Sequence, residues 1–225
     1  MLYLILSDTT LILKGLQIMK IKICGLTTPK EAEYLNTNHV DFAGMVLFYP
    51  KSKRNISLEQ AKAIQQALHP EIQTVAVVVS PTIKQVQQIE AAGFDYLQIH
   101  GKLPEELFSQ TNIPILKAFN IQDMDQYERY HNCAGIAGYV FDAQEPGSGK
   151  TFDWSLVKQI PRDEKLFLLA GGLTPDNVQT AITYLNPDGV DVSSGVEYSD
   201  QPGKDPAKIH TFVSNVRSSS INCEP

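Results

Sequence analysis

The sequence predicts a single-domain (β/α)8 barrel of the TIM-barrel class, an α/β fold, on three observations. First, eight short apolar runs alternate with amphipathic stretches between about residue 20 and residue 217. That alternation marks strand-helix units and a parallel sheet. Second, the glycine-bearing segments follow the seventh and eighth runs, where barrels bind phosphate. A doubly wound open sheet would carry its strongest glycine signal after the first strand, and here that strand runs into Cys24-Gly25-Leu26-Thr27 instead. Third, 225 residues contain no Pro/Gly/Ser linker, charge run or low-complexity tract that would divide the chain. Residues 19–217 are assigned to the barrel, 1–18 to an N-terminal extension and 218–225 to a polar tail.

The runs, in order, are 21–24, 42–48, 74–79, 96–99, 114–119, 137–142, 166–170 and 189–193. Thr28, Pro29 and Glu31 give the first helix a cap, a proline at its first position and an acidic first turn. Ser57 opens the second, with Leu58, Ala61, Ile64 and Leu68 at helical spacing. Ser80-Pro81-Thr82 leads into the third, striped by Ile83, Val86 and Ile89 and stopped at Gly93. The stretches 104–110, 122–130 and 154–160 supply the next three, of which the first is short. Thr174-Pro175 predicts a helix start in the style of Thr28-Pro29, and 205–217 completes the set.

Composition narrows the function. Apolar residues at 43% and charged residues at 20% describe a chain able to bury a sizeable core. Nineteen Lys and Arg against 25 Asp and Glu give a net charge of −6, the wrong sign for broad contact with nucleic acid. A bound anion must therefore be held locally. The three cysteines, Cys24, Cys133 and Cys223, form no C-x-x-C pair, so neither a disulfide framework nor a zinc ribbon is expected. The apolar start is interrupted by Asp8, too short to span a bilayer, and lacks a basic leader and a small-residue cleavage site. It reads as an extension with Met19 as an alternative start, or as an extra strand packed on the body. His39, His69, His131 and His210 have no metal-ligand spacing. A cytoplasmic monomer without metal, cofactor, nucleic-acid partner or membrane contact is expected.

In a barrel the strand ends share one mouth, so the chemistry is sought there. Cys24 ends the first run just before a helix start, a position that can lend a thiol the character of a base or nucleophile and that equally suits a buried packing residue. Asp142 ends the sixth run, where a carboxyl can exchange a proton over the mouth or merely bond the next turn. Gly171, Gly172 and Leu173 follow the seventh run, and Ser193, Ser194 and Gly195 the eighth. Either segment alone fits a tight turn, but adjacent loops of this kind favour a phosphate cradle of backbone N–H groups and a serine hydroxyl. Arg54 can pair with a carboxylate, while Lys51 and Lys53 read as solvated surface. His100 reads as a hydrogen-bonded structural residue. The sixth loop, 143–154, is long enough to act as a lid, with Phe152 and Trp154 packing beneath it. Cys133 and Cys223 carry no functional reading.

The strings KICGLT (22–27), FYPKSKR (48–54), LQIHG (97–101), GSGKTFDW (147–154), AGGLTPDNV (170–178) and DVSSGVE (191–197) resemble the successive motifs of the phosphoribosylanthranilate isomerases. The resemblance covers 19–217 and implies tryptophan biosynthesis, an aromatic amino-acid pathway. It implies an intramolecular oxidoreductase, an aldose-ketose isomerase, that performs an Amadori rearrangement of N-(5-phosphoribosyl)anthranilate by general acid/base catalysis. It further implies Cys24 as base, Asp142 as acid, Arg54 as the anthranilate carboxylate's partner, and Gly171 to Leu173 with Ser193 to Gly195 as the phosphate loops. Among barrels with similar loops, an indole-glycerol-phosphate synthase would need a lysine at a strand end, a reading that only Lys117 keeps open. An epimerase would need metal-binding histidines and aspartates. A noncatalytic phosphosugar-binding module would have no use for Cys24 and Asp142.

Overall fold

The computed structural model describes residues 19–104, 106–120, 126–131, 133–142 and 153–219. Strands β1 (Lys20–Cys24), β2 (Phe42–Leu47), β4 (Gln73–Val79), β5 (Tyr96–His100), β6 (Ile115–Asn120), β7 (Ile136–Asp142), β8 (Leu166–Leu169) and β9 (Gly189–Val192) are all parallel. Each lies within one residue of an apolar run. A two-residue strand, β3 (Asn55–Ile56), pairs with the end of β2 and was not foreseen. The sheet closes because β1 pairs with β9 on one side and β2 on the other, so the eight long strands form a barrel.

The strands read as continuous apolar runs because both of their faces are buried. Phe42, Val75, Val77, Leu116, Ala118, Val140, Leu168 and Ala170 fill the barrel interior. Their alternates, among them Ile21, Ile23, Met45, Leu97, Phe119 and Phe141, face the surrounding helices and form the larger core. That core takes one stripe from each of α1 (Pro29–Thr37), α2 (Leu58–Ala67), α3 (Ile83–Ala91), α7 (Val178–Leu185) and α8 (Pro206–Ser219). The helices α4 (Leu107–Gln110), α5 (Tyr127–His131) and α6 (Ser155–Lys158) are only four or five residues long.

Caps match the sequence reading at α2 and α3, where Ser57 and Thr82 accept from the backbone of Gln60 and Gln85. They differ after β8. Residues 174–177 form a turn in which Asn177 accepts from Thr174 N and donates to Gly172 O, both at 2.9 Å, so α7 begins at Val178 rather than at Pro175. The side chain of Asn177 captures the backbone that a helix would have used. At the other end α8 continues to Ser219, past the expected limit at Arg217. Residues 1–18, positions 143–152 of the lid candidate 143–154, Phe152 among them, and Cys223 lie outside the described residues.

Candidate active site

The strand ends enclose a cavity of about 550 Å³ at the C-terminal mouth. Cys24, Arg54, Asp142, Gly171, Gly172, Leu173, Ser193 and Ser194 all line it. Residues expected from eight separate sequence positions therefore share one space. Gly195 is the exception. A Cβ there would stand 1.9 Å from Leu173 O, so this glycine lets the two loops touch rather than facing the cavity.

Cys24 ends β1 on the interior side, opposite Gly44 of β2. Its neighbouring helix start does not serve it, because Glu31 occupies that place and accepts from Thr27 N at 2.5 Å and Thr28 N at 3.0 Å. The nearby cation is Lys22, one interior position earlier on β1. A Cβ added to Gly44 would lie 3.0 Å from both Cys24 Sγ and Lys22 Nζ. Lys22 is fully buried and pairs with Asp191 Oδ2 at 2.9 Å. Burial pushes the Cys24 thiol above its ordinary range, Lys22 and Lys204 pull it back, and Asp191 adds to the rise. The net direction is upward. The thiolate character expected from a helix N-terminus is thus corrected to a desolvated thiol partly compensated by a buried ammonium. Lys22 itself is held above its usual range: burial opposes its charge, and Asp191 with Cys24 outweighs it.

Arg54 is placed by Glu197, which sits just past the 3-10 turn Ser194–Val196. Arg54 Nε donates to Glu197 Oε1 at 2.5 Å, Lys204 Nζ to the same oxygen at 3.1 Å, and Lys53 Nζ to Oε2 at 2.8 Å. Burial works against the Glu197 charge, yet Arg54, Lys204 and Lys53 bring its pKa down to about 2. Lys53 stays 71% exposed, so the solvated reading describes it and leaves out its ion pair. Lys204, 1% exposed, also donates to Ser193 O at 3.1 Å, and Ser193 Oγ donates to Cys24 O at 2.9 Å. The Ser193 hydroxyl is therefore spent on the protein, which leaves Ser194 as the hydroxyl open to a ligand. Gly171 and Gly172 have φ of +83° and +67°, the left-handed region in which glycine is free of strain.

On the far side of the mouth, Gln98 Nε2 lies 2.9 Å from His100 Nε2. Burial, with the charges of Lys117 and Lys22, lowers His100 to about 3, so the ring is neutral at physiological pH. Arg54 Nη2, Gln98 Oε1, Asn120 Oδ1 and Asp191 Oδ1 are buried and make no hydrogen bond, and all four residues line the cavity. Buried polar atoms left unpaired in a native fold call for a partner. Their residues line the space where a polar ligand would lie.

Lys117 does not reach this space. It lies on the outer face of β6, donates to Ala118 O at 2.6 Å and has its ammonium 4.8 Å from the Phe119 ring centre. The synthase reading loses its lysine. Cys133 and Trp154 pack against the core, which for Trp154 is the apolar packing expected of it, while the loop it was expected to lie beneath is outside the described residues. Lys22, Asn120, Asp191 and Glu197 were not foreseen as site residues. For Lys22 and Asp191 a signal existed, since each sits two positions from a named mouth residue and so on the same strand face.

Comparison with known proteins agrees with the geometry. A family model described as N-(5'-phosphoribosyl)anthranilate (PRA) isomerase matches residues 21–215. The N-(5'-phosphoribosyl)anthranilate isomerase of Geotalea uraniireducens is 40% identical over 207 residues, covering 88% of this chain and 98% of its own. A solved structure described as monomers of the dimeric enzyme from Thermotoga maritima superposes with a TM-score of 0.76 at 34% identity, over 89% of this chain and 99% of that one. A further phosphoribosyl anthranilate isomerase, solved in complex with reduced 1-(o-carboxyphenylamino)-1-deoxyribulose 5-phosphate, has a TM-score of 0.74 at 33% identity, with 89% and 99% covered. A barrel whose mouth gathers these residues, matched from its first strand to its last helix, belongs to the phosphoribosylanthranilate isomerase family of tryptophan biosynthesis and is an isomerase.

Proposed function

We propose that the chain catalyses the Amadori rearrangement of N-(5-phosphoribosyl)anthranilate to 1-(2-carboxyphenylamino)-1-deoxyribulose 5-phosphate, with Asp142 as general acid and Cys24 as general base. The observation that carries this reading is that Cys24 and Asp142 line one cavity together with Arg54 and both glycine-bearing loops. One substrate can then touch an acid, a base, a carboxylate partner and a phosphate cradle at once.

Asp142 gives its proton to the furanose ring oxygen as the C1–O bond breaks, and the nitrogen lone pair forms the C1–N double bond of a protonated Schiff base. The Cys24 thiolate takes the C2 proton, and the C–H electron pair becomes the C1–C2 double bond of a neutral enolamine. Tautomerisation adds a proton to C1 and removes one from the 2-hydroxyl to leave the ketone. A desolvated thiolate is scarce but strongly basic, and the Lys22 ammonium beside it offsets part of the cost of forming it. Arg54 turns its unpaired Nη2 toward the anthranilate carboxylate, and backbone N–H groups at Gly171–Leu173 with Ser194 take the phosphate.

The test is the loss of phosphoribosylanthranilate fluorescence with purified protein. Turnover by wild type with severe loss in Cys24→Ala and in Asp142→Asn supports the reading, and no turnover by wild type ends it. A chain that starts at Met19 should keep full activity if residues 1–18 are dispensable. We also place the enzyme in the cytoplasm, where its biosynthetic substrate would be made. No helix among the described residues is long and apolar enough to cross a membrane. A monomer is proposed for solution, and sedimentation distinguishes it from a dimer of the kind named for the Thermotoga maritima protein.

A further inference from the structure

Asn120 closes β6 and stands directly opposite Asp142, the last residue of β7, in the parallel register of the two strands. Register partners on neighbouring strands, about 4.8 Å apart, project to the same face. Both side chains line the cavity. The amide oxygen of Asn120 is buried and accepts no hydrogen bond.

We propose that Asn120 is a positioning residue for the acid: its amide oxygen accepts the O–H of the Asp142 carboxylic acid and keeps the proton there until the substrate's ring oxygen arrives. The proposal rests on the reading of Asp142 as general acid. A protonated carboxyl has one hydrogen to donate, whereas a carboxylate has only acceptor sites. An acceptor set against it therefore favours the protonated form and disfavours the ionised one.

The surroundings make such a device necessary. Among the described residues, the titratable and charged groups that share the mouth with Asp142 are Cys24, Tyr49, Lys51, Lys53, Arg54, His100 and Asp191. Three of these are cations, which favour a carboxylate, and Glu197 engages Lys53 and Arg54. His100 is neutral and adds no charge. On β6, the strand hydrogen-bonded beside β7, the facing polar group is the uncharged amide of Asn120. During turnover the O–H···O contact is lost as the proton leaves, and the carboxylate then faces an acceptor. The same contact draws the proton back when the 2-hydroxyl releases one at ketone formation, which resets the acid.

The test is an infrared pH titration of the free enzyme, following the carboxylic acid carbonyl band that is present in wild type and absent in Asp142→Asn. Asn120→Ala should lower the midpoint of that band by roughly half to one pH unit, the size of one net hydrogen bond. Asn120→Ser, which restores an acceptor, should return most of the shift. Should Asn120→Ala fail to fold, Asn120→Leu carries the same measurement. An unchanged midpoint overturns the proposal. So does an upward shift, which would mean that the amide presents its N–H to a carboxylate, and so does the lack of any Asp142 band at neutral pH. Turnover of Asp142→Asn separates the two layers: near-wild-type activity sinks the acid role itself, while the infrared midpoints still decide whether Asn120 holds the proton.

Discussion

Arg54 Nε donates to Glu197 Oε1 at 2.5 Å, joining the loop after β2 to the segment after β9 across the barrel mouth. The bond leaves Nη2 buried and unpaired beside the cavity. The guanidinium is thereby oriented before any ligand arrives, which reduces the ordering that pairing its planar fork with a second carboxylate would cost.

Removing that fixture should weaken binding more than chemistry. Glu197→Gln is expected to raise KM about tenfold, the loss of one charge-assisted hydrogen bond, with a smaller change in kcat. Steady-state kinetics checks this, and a fall in kcat at unchanged KM would contradict the role given to Arg54.

Acid should unfold the protein in two overlapping windows. Glu197 is brought from an ordinary 4.5 to about 2, so its contribution is complete above pH 4.5 and lost as pH falls toward 2. His100 is lowered from 6.5 to about 3, so the unfolded chain takes up its proton first and stability falls between those values as pH drops. Each group contributes a slope of about 1.4 kcal/mol per pH unit inside its window. Urea midpoints from pH 7 to 3 should decline throughout, less steeply in Glu197→Gln below pH 4.5. The His100 ring protons should show no NMR titration between pH 5 and 8.

The thiol of Cys24 should react slowly at neutral pH. Its alkylation by iodoacetamide is expected to rise with a midpoint above the ordinary value of 9.0. Lys22→Met should move the midpoint higher still, because the compensating charge is gone. That variant also strands Asp191 as a buried carboxylate, at a cost of about 3–5 kcal/mol. Lys22→Met combined with Asp191→Asn should recover much of the lost stability, as read by urea unfolding.

Gly195→Ala should disrupt the phosphate side of the mouth. The added Cβ would fall 1.9 Å from Leu173 O, and the obstacle is backbone rather than a movable side chain. A Tm lowered by several degrees and a clear loss of affinity for inorganic phosphate are expected, the former from overpacking of about 1–3 kcal/mol. Wild-type Tm in this variant would show that the two loops are not in contact in solution.

The barrel was legible because strands buried on both faces must be apolar throughout, as in 74–79 and 166–170, and such runs stand out between polar helices. The strand-end residues Cys24 and Asp142 followed from counting those runs. Glu197, by contrast, gains its meaning from Arg54 at a separation of 143 residues, and Asp191 from Lys22 at 169. Neither pair has a local signature. Asn177 shows the opposite limit, since a proline-led helix start and an asparagine-closed turn share the string TPDN, and only the side-chain bonds to Thr174 and Gly172 separate them.

Closure of the barrel through β1 and β9 has a temporal consequence. The partner strand of Lys22 and Cys24 is the last of the eight long strands in chain order, so during synthesis β1 waits with one edge unpaired until β9 has been made. Cys24, the Lys22 ammonium and the Asp191 carboxylate come together only once β9 has joined β1. A fragment that lacks β9 therefore cannot hold this cluster, and joining the first strand to the last is a long-range contact of the kind that slows folding.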